Sequence, residues 1–104
     1  MKIVYSNNDG IKTDHLPVSL WLRVLPRIEG KLPTTDDGRS WLWLRLDTIT
    51  EITVERQFEN EYTINVVANG TKYHPTSLLL DGNESHAAEF KLIELVDAAI
   101  RTAR

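Results

Sequence analysis

A chain of 104 residues, 41% hydrophobic and 26% charged, has the composition of a single folded domain. It contains no cysteine, which excludes disulfide staples, thiolate zinc sites and a cysteine nucleophile, and which fits a reducing compartment. A net charge of −3 speaks against generic binding to nucleic acid or to an anionic membrane, and is too small for an acidic nucleic-acid mimic.

Lys2 to Tyr5 reads as a short strand closed by the turn formers Ser6-Asn7-Asn8-Asp9-Gly10. The N-terminus lacks the apolar run of a signal peptide, and no stretch reaches the roughly 18 apolar residues of a membrane span. A cytoplasmic protein is therefore expected, with the triplets Asn69-Gly70-Thr71 and Asn83-Glu84-Ser85 matching the glycosylation pattern by coincidence. Leu16 to Glu29 admits two readings. With period two, Leu16, Val18, Leu20, Leu22 and Val24 share one side, and Ser19, Trp21 and Arg23 the other; with the helical period, Leu20, Val24 and Ile28 align behind a possible Asp14 cap. Five consecutive alternations bounded by Pro17 and Pro26 favour the strand.

The run Gly30 to Gly38 is rich in turn residues and is expected to be a mobile loop. Trp41-Leu42-Trp43-Leu44-Arg45-Leu46 then alternates cleanly, and the tetrapeptide Leu-Trp-Leu-Arg occurs at both Leu20–Arg23 and Leu42–Arg45. One short match is no repeat architecture, but it suggests two similar strands paired across the loop. Ile52 to Phe58 alternates in the same way and joins the next strand through Glu59-Asn60-Glu61. Asn69-Gly70 supplies the two residues that tolerate the positive φ of a type I′ turn. That turn sets Ala68 opposite Thr71, Val67 opposite Lys72, Val66 opposite Tyr73 and Asn65 opposite His74.

Thr76 to Leu80 reads as a connector or a short final strand, broken by Asp81-Gly82-Asn83, which offers helix caps. From Glu84 to Ala103 the period becomes helical. Ala88, Leu92, Ile93, Val96, Ala99, Ile100 and Ala103 form an apolar stripe, opposite Lys91, Glu94, Asp97 and Arg101, with Asp97 and Arg101 spaced as an i,i+4 pair. The fold expected over residues 1–104 is a single α+β domain: a curved antiparallel sheet of five or six strands, closed on one face by the C-terminal helix. Strands followed by one terminal helix is also the element order of the pleckstrin-homology-like half-barrel.

The sheet faces carry the functional lead. One collects Leu20, Leu22, Val24, Leu42, Leu44, Leu46, Ile52, Val54, Ile64, Val66 and Tyr73, a surface for the helix. The other collects Trp21, Arg23, Trp41, Trp43, Arg45, Thr53, Glu55, Thr63, Asn65, Val67 and His74, and a solvated face should not hold three tryptophans. Tryptophan and arginine dominate interface hot spots, so Trp21, Arg23, Trp41, Trp43, Arg45 and His74 form a candidate surface for a protein partner or a second copy of the chain. The competing structural reading curls the sheet so that some indoles lie inside. Single-stranded nucleic acid also stacks on such faces, but between Arg23 and Arg45 the basic residues exceed the acidic by only two, and no RNP-type motif is present.

Catalysis finds little support. His15, His74 and His86 lack metal-ligand spacing, with His74 and His86 expected at the surface. No phosphate-cradling loop or nucleophile elbow occurs, and Asp36-Asp37-Gly38 lacks the ligands of a calcium loop. A non-catalytic binding protein, an inhibitor or adaptor without cofactor or metal, is the expectation; an enzyme with a site built from scattered residues is the remaining alternative.

Overall fold

The computed structural model describes residues 20–103; the expected Lys2–Tyr5 strand, residues 16–19 and His15 lie outside them. Five strands are followed by one helix: β1 (Trp21–Pro26), β2 (Leu42–Arg45), β3 (Ile49–Phe58), β4 (Glu61–Ala68), β5 (Thr71–His74) and α1 (Gly82–Ala103). They form one antiparallel sheet in the order β2-β1-β5-β4-β3, open and curled, with β2 and β3 at its edges. The curl follows from β1, whose Trp21–Val24 half pairs with β2 while Leu25 and Pro26 pair with β5.

Local chemistry explains the elements. Asn69 and Gly70 both take positive φ, 54° and 78°, and the hairpin holds Val66 opposite Tyr73, Val67 opposite Lys72 and Ala68 opposite Thr71. The equally short turn between β3 and β4 puts Asn60 at φ 56°, and Asn60 Oδ1 accepts the Gly82 N–H at 3.1 Å, tying that turn to the start of α1. Residues 76–80 end in a single bridge, Leu80 to Tyr62. The helix opens on a capping box: Asp81 Oδ1 accepts the Glu84 N–H at 2.8 Å and Glu84 Oε1 accepts the Asp81 N–H at 3.0 Å, a device that stabilises by about 1 kcal/mol.

The period-two reading of residues 16–29 holds over the described part, because only a strand sends Leu22 and Val24 inward while Trp21 and Arg23 point away. The two Leu-Trp-Leu-Arg segments do pair, with Trp21 opposite Arg45, Leu22 opposite Leu44 and Arg23 opposite Trp43. One buried cluster joins Leu22, Val24, Leu46, Ile49, Ile64, Val66, Ala68 and Leu80 to Ala88, Leu92, Val96 and Ala99 of α1, with Leu20, Leu42, Leu44, Ile52, Val54 and Tyr73 packed around it. All the residues expected beneath the helix are there.

The helical stripe needs correction at one position. Ile93 is exposed, because burial follows Ala88, Leu92, Val96 and Ala99, and Ile93 falls beyond the contact line. Asp97 forms no ion pair with Arg101 among the described residues; Lys91 and Glu94 pair instead at 3.6 Å. No helix among the described residues is long and apolar enough to cross a membrane.

Candidate interaction face and polar cavity

The face of the sheet turned away from α1 divides into two halves. Over β1 and β2 it presents the indoles. Trp21 is 46% and Trp43 54% exposed, while Trp41 is half-buried. Arginines lie against two of them, Arg23 over Trp41 at 5.1 Å and Arg45 over Trp21 at 5.6 Å from guanidinium carbon to ring centroid. Each such contact is worth about 0.5–1 kcal/mol at an exposed site. The Arg45–Trp21 contact is the direct product of strand register, since the two residues are cross-strand partners. Arg45 also grips Asp47 with both Nε (3.1 Å) and Nη2 (2.9 Å). That hydrogen-bonded pair raises the guanidinium above its ordinary value and holds the Asp47 carboxyl below its own.

Over β4 and the His74 end of β5 the same face is buried, and over β3 it is partly so. The segment from Arg27 to Ser40 folds across it, burying Leu25 and Pro33, and Arg39 is its fastening. The Arg39 side chain is 6% exposed and donates from Nε to Asp37 Oδ1 (2.8 Å), from Nη1 to the Pro26 carbonyl (2.9 Å) and from Nη2 to the Leu32 carbonyl (2.7 Å). Burial works to raise the Asp37 carboxyl, but the Arg39 hydrogen bonds and charge, with Lys31 at 3.9 Å behind them, more than offset it and hold the group below the ordinary carboxylate value. The turn-rich segment expected to be mobile is thus anchored to the sheet.

That cover moves His74 out of the candidate surface. Expected at the surface, the imidazole is 2% exposed, and Thr63 and Asn65 on the same face are buried with it. His74 Nδ1 lies 3.1 Å from the Ile64 carbonyl, an acceptor, so Nδ1 carries the proton and Nε2 is left as a bare acceptor. Burial pushes the imidazole below its usual value, aided by the charges of Arg39 and Arg27 and opposed by the Ile64 bond and by Glu55. Of the other sequence-selected histidines, His86 is exposed on α1 and stacks edge-on against Phe90 at 4.7 Å.

The depressed value gives acid sensitivity a definite sign. The unfolded chain protonates this histidine near its usual 6.5, whereas the fold keeps it neutral there. Its contribution is complete above that pH and falls as the pH drops towards the folded-state value, by at most about 1.4 kcal/mol per pH unit. Urea unfolding at about pH 7.5 and 5.5 should show wild type losing stability between the two and His74→Phe losing less. An equal loss in both would place the acid-sensitive group elsewhere.

Beneath the anchored segment lies a cavity of about 270 Å³. Arg27, Lys31, Glu55, Gln57, Thr63 and His74 are among its lining residues. Compared with protein-family models, curated proteins and solved structures, the chain matches none. The site therefore has to be read from its own geometry. Trp21, Arg23, Trp41, Trp43 and Arg45 come together on β1, β2 and the residue before β2. His74 does not join them, and belongs instead with Arg27, Glu55 and Thr63, a grouping that alternation alone does not reveal. The sequence signal for it was the set of polar residues, Thr63, Asn65 and His74, falling on one strand face beside a long turn-rich segment ending in Arg39.

Proposed function

We propose that the chain is a non-catalytic binding protein that docks on a protein partner through Trp21, Arg23, Trp41, Trp43 and Arg45. The observation that supports it is the pair of half-exposed indoles on the part of the outer face that the Arg27–Ser40 segment leaves uncovered. Burying the remaining half of an indole of roughly 200 Å² contributes about 2.5 kcal/mol, so two of them outweigh the arginines, whose rim charges are worth under about 1 kcal/mol each. The indoles would supply affinity and the guanidinium groups orientation.

A protein suits this face better than a nucleic acid. Arg45 already has its charge met by Asp47 at 2.9 Å, which leaves the stacking surface without the cationic track that phosphates require. The reading also fits a net charge of −3.

The test uses the Trp43→Ala/Arg45→Ala double variant. A protein captured from the native host by wild type should bind the double variant at least about 100-fold more weakly, at hot-spot values near 2 kcal/mol for the indole. Its far-ultraviolet dichroism and melting temperature should stay close to wild type, because both side chains lie outside the buried cluster. Unfolding of the variant would make these side chains structural and remove the reading. Salt-dependent quenching of tryptophan fluorescence by a single-stranded oligonucleotide would replace it with nucleic-acid binding. Concentration-dependent dimerisation lost in the variant would make the partner a second copy.

A further inference from the structure

The edge of β3 and the flank of α1 beside it form a surface that neither the indoles nor the Arg27–Ser40 segment uses. β3 is a ten-residue strand that ladders only with β4 among the described residues. Edge strands are commonly blunted by shortness, lysine, proline or bulges. β2, at the opposite edge, has four residues. β3 has neither lysine nor proline, and its register irregularities, between Ile49 and Glu51 and between Arg56 and Phe58, leave the stretch from Glu51 to Arg56 regular. Its outward N–H and C=O groups are a template for one more strand.

Beside that edge runs a groove of about 240 Å³, with Ile49, Glu51 and Ile52 of β3 and Ile93, Val96 and Asp97 of α1 in its lining. Its floor is apolar, since Ile49 and Val96 are buried and Ile52 is half-buried. Its outer wall is apolar too: Ile93 is exposed, and so is Phe90, one turn earlier on the same side of α1. The isoleucine that the core leaves out is thus a wall of this groove. Both charges in the lining, Glu51 and Asp97, are acidic and exposed, and neither carboxylate has an ion-pair partner among the described residues.

We propose that the β3 edge and this groove bind an extended segment of another protein in which basic and apolar residues alternate, added to the sheet as a further antiparallel or parallel strand. The register of β3 dictates the alternation. Ile52 and Val54, opposite Val66 and Ile64, pack toward the core beneath α1, whereas Glu51, Thr53 and Glu55, opposite Val67, Asn65 and Thr63, lie on the other face. A strand laid along β3 repeats that pattern, so its apolar side chains enter the groove against Ile52 and Ile93 while its basic ones meet Glu51. Asp97 adds a second negative charge at the rim. A second copy of the chain is the poorer occupant. In a two-fold antiparallel pair of β3 strands, opposite residues share a face, so Glu51 and Glu55 never meet Arg56. Centring the pair on Thr53 sets Glu51 against Glu55, and centring it on Glu55 sets that acid against itself, both destabilising.

The test is nuclear magnetic resonance on the ¹⁵N-labelled full-length chain with acetyl-Lys-Val-Lys-Val-Lys-Val-amide at about 1 mM, enough to reveal submillimolar binding. The peptide should shift the amides of Glu51–Arg56, Ile93 and Asp97, and slow hydrogen exchange at alternate residues of β3, the mark of a newly paired edge. The Glu51→Lys/Asp97→Lys variant should bind it about tenfold more weakly and should bind the Glu-Val-Glu-Val-Glu-Val counterpart instead. Ile93→Ala, which keeps both acids, should also weaken binding, and provides the readout if the charge-reversed variant fails to fold. No shift with the alternating peptide would overturn the proposal. Equal binding of acetyl-Lys-Lys-Lys-Val-Val-Val-amide would reduce the effect to net charge and overturn it as well. Slow exchange of the outward β3 amides without peptide would also overturn it, assigning the edge to a second copy if the protection rises with protein concentration and to another segment of this chain if it does not. None of these measurements involves Trp43 or Arg45.

Discussion

Leu92→Ala should lower the unfolding free energy by about 3–4 kcal/mol, within the range for deleting a buried leucine. Leu92 is fully buried at the centre of the α1 stripe, in one cluster with Leu22 of β1 and with Ile64 and Val66 of β4. Those strands are cross-linked by ladder hydrogen bonds and cannot easily close on the space left behind, which places the cost above the minimum of the range. A domain of this size has a total stability of about 5–15 kcal/mol, so the loss should appear as a fall in melting temperature on the order of 15 °C. The neighbouring residue is the control. Ile93→Ala removes a similar volume from a position that is 43% exposed, and should cost well under about 1.5 kcal/mol in urea unfolding with an unchanged slope. Comparable losses from both substitutions would mean that the helix does not sit on the sheet in this rotation.

Arg39→Ala is expected to cost about 3 kcal/mol, a large figure for a residue in a connecting segment. The substitution strips donors from the Pro26 and Leu32 carbonyls and leaves Asp37 with the backbone N–H of residue 39 at 3.2 Å and Lys31 at 3.9 Å. Arg39→Lys should recover less than half of the loss, since an ammonium cannot reproduce a planar fork that serves a carboxylate and two carbonyls at once. Limited proteolysis within residues 30–38 should accelerate in the alanine variant, and the His74-dependent loss of stability between about pH 7.5 and 5.5 should shrink as water reaches the imidazole. Unchanged proteolysis with unchanged stability would show that the segment is held by its apolar residues, Pro33 above all, and not by the guanidinium.

The sheet and helix were legible because their signals are periodic or local. Asn69-Gly70 allows one turn type and so sets the register of β4 against β5 residue by residue. Leu22 and Val24 alternate with Trp21 and Arg23, which separates inward from outward without knowledge of the rest of the chain. Asp81 and Glu84 are spaced as a capping box, and mark the start of α1. Alternation assigns a residue to a face; it does not say what lies over that face. The burial of His74 depends on a segment whose path is fixed by Arg39 reaching back 13 and 7 residues to the Pro26 and Leu32 carbonyls, with no period for inspection to find. Hence the indole half of the candidate surface was readable in the sequence and the polar cavity was not. Ile93 shows the finer limit: a stripe defined by spacings of three and four is wider than the line of contact a helix makes with a curled sheet.

The antiparallel pairing of two identical tetrapeptides has a geometric result. Rotating the β1–β2 ladder by a half-turn about the midpoint between Leu22 and Leu44 carries Trp21 onto Trp43 and Arg23 onto Arg45. A rigid body touching only those four side chains meets the same pattern in two poses, and nothing in the four distinguishes them. Trp41 beneath Arg23 and Asp47 beside Arg45 lack equivalents of each other, and so break the pseudo-dyad. Any single preferred pose on this patch must be chosen by that pair of unmatched neighbours.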